Sequence, residues 1–392
     1  MTPKFHSQNR QKLAQQIGDQ AIAIIDTSAR LIRRGDFEYQ YRPDSNFYYL
    51  TGIAEPEAVL ILAPGQTNPA SREMLFISGT SDFVGQWEGE RHTPETAAKT
   101  SGIKTVVPLT ELERYIGFLT ERYPTAYLNA LPASAGTTIP DPSWKRATAL
   151  RHNVPTLDLK SALPLLDHQR MVKDKLEVEY IKTAVQYTKQ ALDAVTGSLA
   201  PHQTEYQLAA KFLYEIHTRG AVAGFTPIVA AGGHSTVIHY TGQSGKTTGD
   251  GLVLFDVGAE VGYYTADISR TVPVSGKFTP RQQAVYDVVA QAQAAGIAAH
   301  KPGTTLAAID KVMRRSLKRA LSGLELKGDL NSYYPHMSHH LGLDVHDTGT
   351  AQTVLEPGMV VTCEPGLYIA DEGIGVRLED DILITSSGHE VL

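Results

Sequence analysis

Two stretches of this chain set pairs of acids inside apolar runs, and any fold must find a use for them. The first, LFDVGAEVGYYTADISRT (254–271), holds Asp256 and Asp267; the second, TCEPGLYIADEGIGVRLEDD (362–381), holds Glu364 and Glu379. An unpaired carboxylate in such surroundings is costly, or shifts its pKa until it is neutral. Read as an antiparallel hairpin with a two-residue turn at Val261–Gly262, the first stretch puts Asp256 opposite Asp267, with Cβ atoms about 5 Å apart. A polar turn centred on Asp371–Glu372 does the same for Glu364 and Glu379. Taken singly, each acid has an ordinary use, capping a turn or pairing with Arg270 or Arg377. Four at matched hairpin positions point instead to a bound cation, because like charges directly opposite one another destabilise a sheet. Carboxylate oxygens with perhaps one imidazole make a fairly hard site, suited to Mn²⁺, Co²⁺ or Zn²⁺. Four acids with bridging capacity favour two metals about 3.5–4 Å apart. Cys363 adjoins Glu364, so on a strand it faces the other way, into the core.

The surroundings of the two stretches repeat. Helices are expected from about 172 to 198 and 203 to 219, followed by strands FTPIVAA (225–231) and GLVLFDVG (251–258). A helix opening with Thr279–Pro280, a good cap and first-turn pair, begins a second round. Another helix follows Gly303-Thr304-Thr305, and then come strands MVVTCEPGLYI (359–369) and GIGVRLEDDILI (373–384). Before all this, residues 1–155 alternate short apolar runs at 21–25, 58–63, 73–78 and 125–130 with helical patterns at 8–18, 109–123 and 143–152. The chain of 392 residues is thus an α/β protein of two domains, 1–158 and 159–392. A net charge of −6 with interspersed signs offers no face for nucleic acid, and the apolar runs are too short to span a bilayer. A polar N-terminus and a single cysteine suggest a cytoplasmic protein.

Four histidines crowd into PHMSHHLGLDVHD (335–347): His336, His339, His340 and His346. His239 lies just before the first acid hairpin. A metal ligand and a proton donor to a transition state are both suitable uses for such residues. GQSGKTTG (242–249) ends like a phosphate-binding loop, but Tyr240 stands where that motif needs glycine, and a strand follows where it needs a helix. It reads as a flexible hairpin loop. No G-x-S-x-G elbow supports serine hydrolysis.

LFDVG, YTADISRT, SHHLGLDVHD, TCEPGLYI and GVRLEDD, in that order and spacing, resemble the "pita-bread" metallopeptidases, in the Xaa-Pro aminopeptidase (aminopeptidase P) and prolidase branch. The resemblance covers about 220 residues and extends more loosely to YRPDSNFYYLTG (41–52) and the WEGER stretch at Trp87. It implies a pita-bread α+β domain with pseudo-twofold helix–helix–hairpin halves, preceded by a smaller α/β creatinase-type domain serving oligomerisation or substrate access. It also implies two divalent metals, Mn²⁺ foremost. Asp256 would bind one, Asp267 and Glu379 would bridge both, and His339 and Glu364 would complete the second. A hydroxide between the metals would attack the scissile carbonyl, with Glu364 as general base. His239 and His346 would bind substrate and stabilise the tetrahedral intermediate, and Tyr368 and Arg377 would line the site. Trp87 would reach the site of a neighbouring subunit of a homodimer or homotetramer, or else be a core aromatic. One departure stands out: relatives commonly carry a further histidine four positions before the metal-binding one. Here that position is Pro335, and His336 lies three before.

Three readings compete. An Xaa-Pro aminopeptidase trims peptides of any length, whereas a prolidase cleaves dipeptides and must recognise the carboxylate that follows proline, usually with an arginine. The segment DTGTAQTVL between His346 and Glu356 has no Arg or Lys, which favours the aminopeptidase, although Arg34 or Arg42 could supply that contact. A peptide-binding domain that has lost its metals would lack ligands, and all five are present. A methionine aminopeptidase is disfavoured by the long N-terminal region and the GLDVHD block.

Overall fold

The computed structural model describes residues 1–79, 85–87, 89–129, 142–334 and 338–392. The contacts divide the chain into two compact units, Met1–Gln169 and Arg170–Leu392. The division falls beyond residue 158 because the Asp158–Ser161 strand completes the sheet of the first unit.

That sheet has six strands: β1 (Ala21–Asp26), β2 (Ala58–Leu62), β3 (Glu73–Ile77), β4 (Thr105–Pro108), β5 (Thr125–Leu128) and β6 (Asp158–Ser161), in the order β4-β3-β2-β1-β5-β6. The central strands β1 and β2 are buried along their whole length, as their unbroken apolar runs require. β4 and β6 carry mixed sequences at the sheet's edges and give little apolar signal. A separate two-stranded hairpin, Ile32–Arg34 with Phe37–Glu38, is exposed throughout.

The second unit shows the expected doubling. Helices Lys175–Thr196 and Glu205–His217 pack together and lead to β7 (Ile228–Ala231), β8 (Leu252–Val257), β9 (Ala259–Val261), β10 (Tyr264–Thr265) and β11 (Ile268–Pro273). Helices Pro280–Ala299 and Leu306–Ala320 then pack together and lead to β12 (Val360–Cys363), β13 (Gly366–Ile369), β14 (Ile374–Arg377), β15 (Asp380–Ile384) and β16 (His389–Val391). Three of the four helices open on capping boxes, Asp174 with Glu177, Thr204 with Gln207 and Thr279 with Gln282, which satisfy otherwise orphaned first-turn N–H groups. Cys363 is a core residue, its sulfur 3.9 Å from that of Met313. No helix among the described residues is long and apolar enough to cross a membrane.

The two acid-bearing hairpins differ in how well their register was foreseen. In the second, Gly366 faces Arg377 and Cys363 faces Asp380, the register that sets Glu364 against Glu379. In the first, Asp256 faces Ser269, not Asp267. The turn is at Gly262–Tyr263, both at positive φ (56° and 70°), in place of Val261–Gly262. Two positive-φ residues make the primed turn that suits twisted hairpins. The register therefore shifts by two, and Asp267 stays on the Asp256 face but one pair further along.

Candidate metal centre

Three of the four acids sit where a strand is interrupted, and the fourth is near a strand end. Asp256 is the penultimate residue of β8, Asp267 lies in the break before β11, Glu364 follows β12 and Glu379 precedes β15. All four are buried. Asp267, His339 and Glu379 converge, each offering one donor atom within 4.8 Å of the others. His339 Nε2 lies 3.5 Å from Asp267 Oδ2 and 3.4 Å from Glu364 Oε1. His346 is exposed, but its ring centroid is 4.3 Å from that of His339.

Electrostatics in this cluster are those of crowded acids. Burial, and then the charge of Asp256, pushes Asp267 up to about 8. Burial, followed by Asp267, Glu364 and Asp256, pushes Glu379 well above the carboxylate range. For His339 burial alone would lower the pKa, but Asp267 and Glu364 outweigh it and lift the ring to about 9. Asp256 Oδ1, Asp267 Oδ1 and Glu379 Oε1 are buried with no hydrogen-bond partner. Orphaned carboxylate oxygens beside a histidine are what a divalent cation would satisfy, so the donor set fits a metal.

Arg377 organises the opposite side. Its Nη2 donates to Asp256 Oδ2, its Nη1 to the Tyr368 hydroxyl at 2.8 Å and its Nε to Ser269 Oγ at 2.8 Å. Ser269 in turn donates to Glu379 Oε2 at 2.6 Å. Arg377 and Tyr368 are both buried.

His239 is exposed, and its neighbours Ile238 and Tyr240 pack against the apolar cluster that contains Tyr368. Trp87, on the first unit, is 75% exposed and so is not a core aromatic. Pro335 and His336 lie outside the described residues. Sequence reasoning missed three supporting groups: Ser269, Thr362, whose hydroxyl donates to Glu364 Oε1 at 2.8 Å, and Asp381, whose Oδ2 accepts from the Asp267 amide at 3.1 Å. Each stands two positions from a site acid on a strand, and that same-face spacing was the available signal.

The sequence pattern of metallopeptidase family M24 matches residues 179–386, and that of the aminopeptidase P N-terminal domain matches residues 6–127. The Xaa-Pro aminopeptidase of Escherichia coli is 31% identical, over 98% of this chain and 92% of its own. A Bacillus anthracis structure assigned as an aminopeptidase P is 35% identical with a TM-score of 0.95, covering 100% of this chain and 94% of that one. Escherichia coli aminopeptidase P, solved with the inhibitor Pro-Leu, is 30% identical with a TM-score of 0.91 and the same coverage.

Proposed function

The chain belongs to metallopeptidase family M24 and has the two-domain build of the aminopeptidase P group, and from that premise we propose that it removes the first residue of peptides whose second residue is proline. It is a metallo-exopeptidase, an Xaa-Pro aminopeptidase. The observation that carries this reading is the meeting of Asp267, His339 and Glu379 in a chain similar to an Xaa-Pro aminopeptidase along 98% of its length.

Asp256, Asp267, His339, Glu364 and Glu379 would hold two divalent cations. Manganese suits so oxygen-rich a set, and cobalt and zinc are the alternatives. When bound, such ions supply Lewis acidity, polarising a carbonyl oxygen and making water a nucleophile at neutral pH. The remaining work falls to the chain's own groups. Glu364, held by Thr362 and facing His339, takes and returns the proton as general base. His346, against the His339 ring, and His239, beside the Tyr368 cluster, donate hydrogen bonds to the substrate. That of His346 strengthens as the oxyanion develops, whereas that of His239 keeps a similar strength into the tetrahedral intermediate, so its effect falls on KM. Arg377 fixes Asp256, Ser269 and Tyr368 in one geometry. An Xaa-Pro bond is a tertiary amide without an N–H, so recognition rests on the ring's shape and the carbonyl, which these groups address.

The N-terminal unit serves assembly and access to the site. Its exposed Trp87, and the hairpin exposing Leu31, Ile32, Phe37 and Tyr39, are the kind of apolar surface that association buries. We assign Trp87 to substrate contact across a homodimer or homotetramer, and the protein to the cytoplasm.

The deciding experiment gives chelator-stripped, Mn²⁺-restored protein equal amounts of an Xaa-Pro dipeptide and an Xaa-Pro-Xaa-Xaa tetrapeptide, both followed by mass spectrometry. Loss of the first residue from the tetrapeptide is expected. Cleavage of the dipeptide alone would make the enzyme a prolidase. Cleavage of neither with Mn²⁺, Co²⁺ or Zn²⁺ would end the reading.

A further inference from the structure

Glu205, outside the acid cluster and unused in the chemistry above, is fully buried at the start of the Glu205–His217 helix. Its carboxylate accepts four hydrogen bonds. Oε1 takes the Ala231 amide at 2.7 Å and His234 Nδ1 at 2.9 Å. Oε2 takes the Tyr240 hydroxyl at 2.8 Å and the Gly245 amide at 2.6 Å. All four donors come from one segment, 231–245, and His239 lies in the middle of it.

Further contacts tighten this arrangement. The His234 ring stacks on Tyr240, centroids 4.4 Å apart and planes 27° from parallel. Tyr240 packs against the cluster containing Tyr368, which hydrogen-bonds Arg377. The Glu205 amide also donates to the Gly245 carbonyl at 3.1 Å. A Cβ on Gly245 would come within 2.7 Å of both Glu205 Oε1 and His234 Nδ1, so a side chain there would push the two groups off their hydrogen bond. The GQSGKTTG segment, which resembles a phosphate loop in sequence, is thus the near wall of the Glu205 site. Burial pushes the Glu205 pKa up, but the hydrogen bonds from Ala231, Gly245, His234 and Tyr240 outweigh it and keep the group ionised.

We infer that Glu205 is a positioning residue for substrate binding: by gathering segment 231–245 onto one buried carboxylate it fixes the place of His239. This rests on the substrate role proposed for His239. No other group serves as well, because four donors converge on two oxygens. A glutamine would keep one oxygen and turn an NH₂ toward two donors, losing two hydrogen bonds and leaving buried donors unpaired.

The test uses the full-length Mn²⁺-loaded enzyme and an Xaa-Pro tripeptide, with variants Glu205→Gln, His239→Ala and the double variant. Glu205→Gln is expected to raise KM by about 10-fold, the consequence of losing two buried hydrogen bonds, with kcat within about 3-fold and metal content unchanged. In the His239→Ala background the same change should add little to KM, since both act through one group. Additive KM effects would overturn the inference, and so would a fall in kcat accompanied by metal loss. A flat KM in Glu205→Gln beside a raised KM in His239→Ala defeats the inference alone; a flat KM in His239→Ala defeats the reading of His239 itself. Should Glu205→Gln fail to fold, Tyr240→Phe removes one donor and keeps the ring; it should raise KM by about 3-fold or more, and an unchanged KM would refute the inference.

Discussion

His339 Nε2 lies 3.5 Å from Asp267 Oδ2, while the other ring nitrogen, Nδ1, is 3.0 Å from the His340 carbonyl. A carbonyl only accepts, so Nδ1 carries a proton, and Nε2 is the nitrogen turned toward Asp267 and Glu364. Without metal these carboxylates favour a second proton on Nε2; a bound cation would take that proton's place, and metal-binding histidines are oriented in this way, with the other ring nitrogen on a carbonyl. His339→Ala should therefore weaken Mn²⁺ binding by more than about 100-fold, the upper end of what losing an outer-shell partner costs. Calorimetric titration of the stripped protein with Mn²⁺ checks this; an unchanged affinity would remove His339 from the ligand set.

Stripped of metal, the protein should lose stability as pH rises. Burial and Asp256 lift Asp267 to about 8, whereas an unfolded aspartate releases its proton near 4. Burial would lower His339, but Asp267 and Glu364 lift it to about 9, against about 6.5 unfolded. In both cases the folded chain holds protons that the unfolded chain has released, so stability falls with rising pH. The Asp267 contribution declines between about 4 and 8, and that of His339 between about 6.5 and 9. Melting temperatures of chelated protein from pH 6 to 9 should fall steadily. Saturating Mn²⁺ should flatten the trend, because the cation binds the deprotonated ligands. A chelated protein whose melting temperature rises over this range would contradict the argument.

Arg377→Lys should not be a mild change. The guanidinium reaches Asp256, Ser269 and Tyr368 at once from a buried position, and one ammonium cannot reproduce that fork. Asp256 would be left buried and poorly compensated, a loss of up to about 3–5 kcal/mol if the pair is broken outright. Both the denaturation midpoint and kcat/KM should drop; wild-type values for both would show the contacts to be dispensable.

How far such a site can be read from sequence depends on the kind of contact. Glu364 and Glu379 were legible because Asp371–Glu372 sits in an unmistakably polar turn between apolar strands, and the register followed. Asp256 and Asp267 were placed on the right face but mispaired, because the turn relies on Tyr263 at φ 70°. A bulky aromatic in that region is an outlier that no turn rule suggests. Ser269, Thr362 and Asp381 could be found by alternation from the acids. Glu205 could not: its donors lie 26 to 40 positions downstream, and hydrogen bonds across such a separation leave no periodic trace. The weakly apolar strands β4 and β6 escaped for a related reason, since edge positions need little burial.

Asp347, one residue past His346, offers a stability test independent of the metal. Its carboxylate is buried between Arg170 Nη2 at 2.5 Å and Lys173 Nζ at 2.9 Å. Its amide donates to the His340 carbonyl at 2.9 Å, closing the loop that carries His346 back beside His339. Burial pushes its pKa up, but Lys173 and Arg170 outweigh it and hold the carboxyl below its usual range. Asp347→Asn keeps the shape and removes the charge, leaving buried Lys173 uncompensated and Arg170 with Asp344 alone, 2.6 Å away, which should cost about 3 kcal/mol. The lowered pKa fixes the sign of the pH dependence. The Asp347 contribution is complete above about 4, where the unfolded group is also ionised, and is lost as pH falls through the lower folded value. The gap between wild type and Asp347→Asn in urea denaturation should therefore be full at pH 7 and shrink below pH 4, with or without chelator. A gap below about 1 kcal/mol at pH 7 would mean that this triad contributes no more than a surface pair.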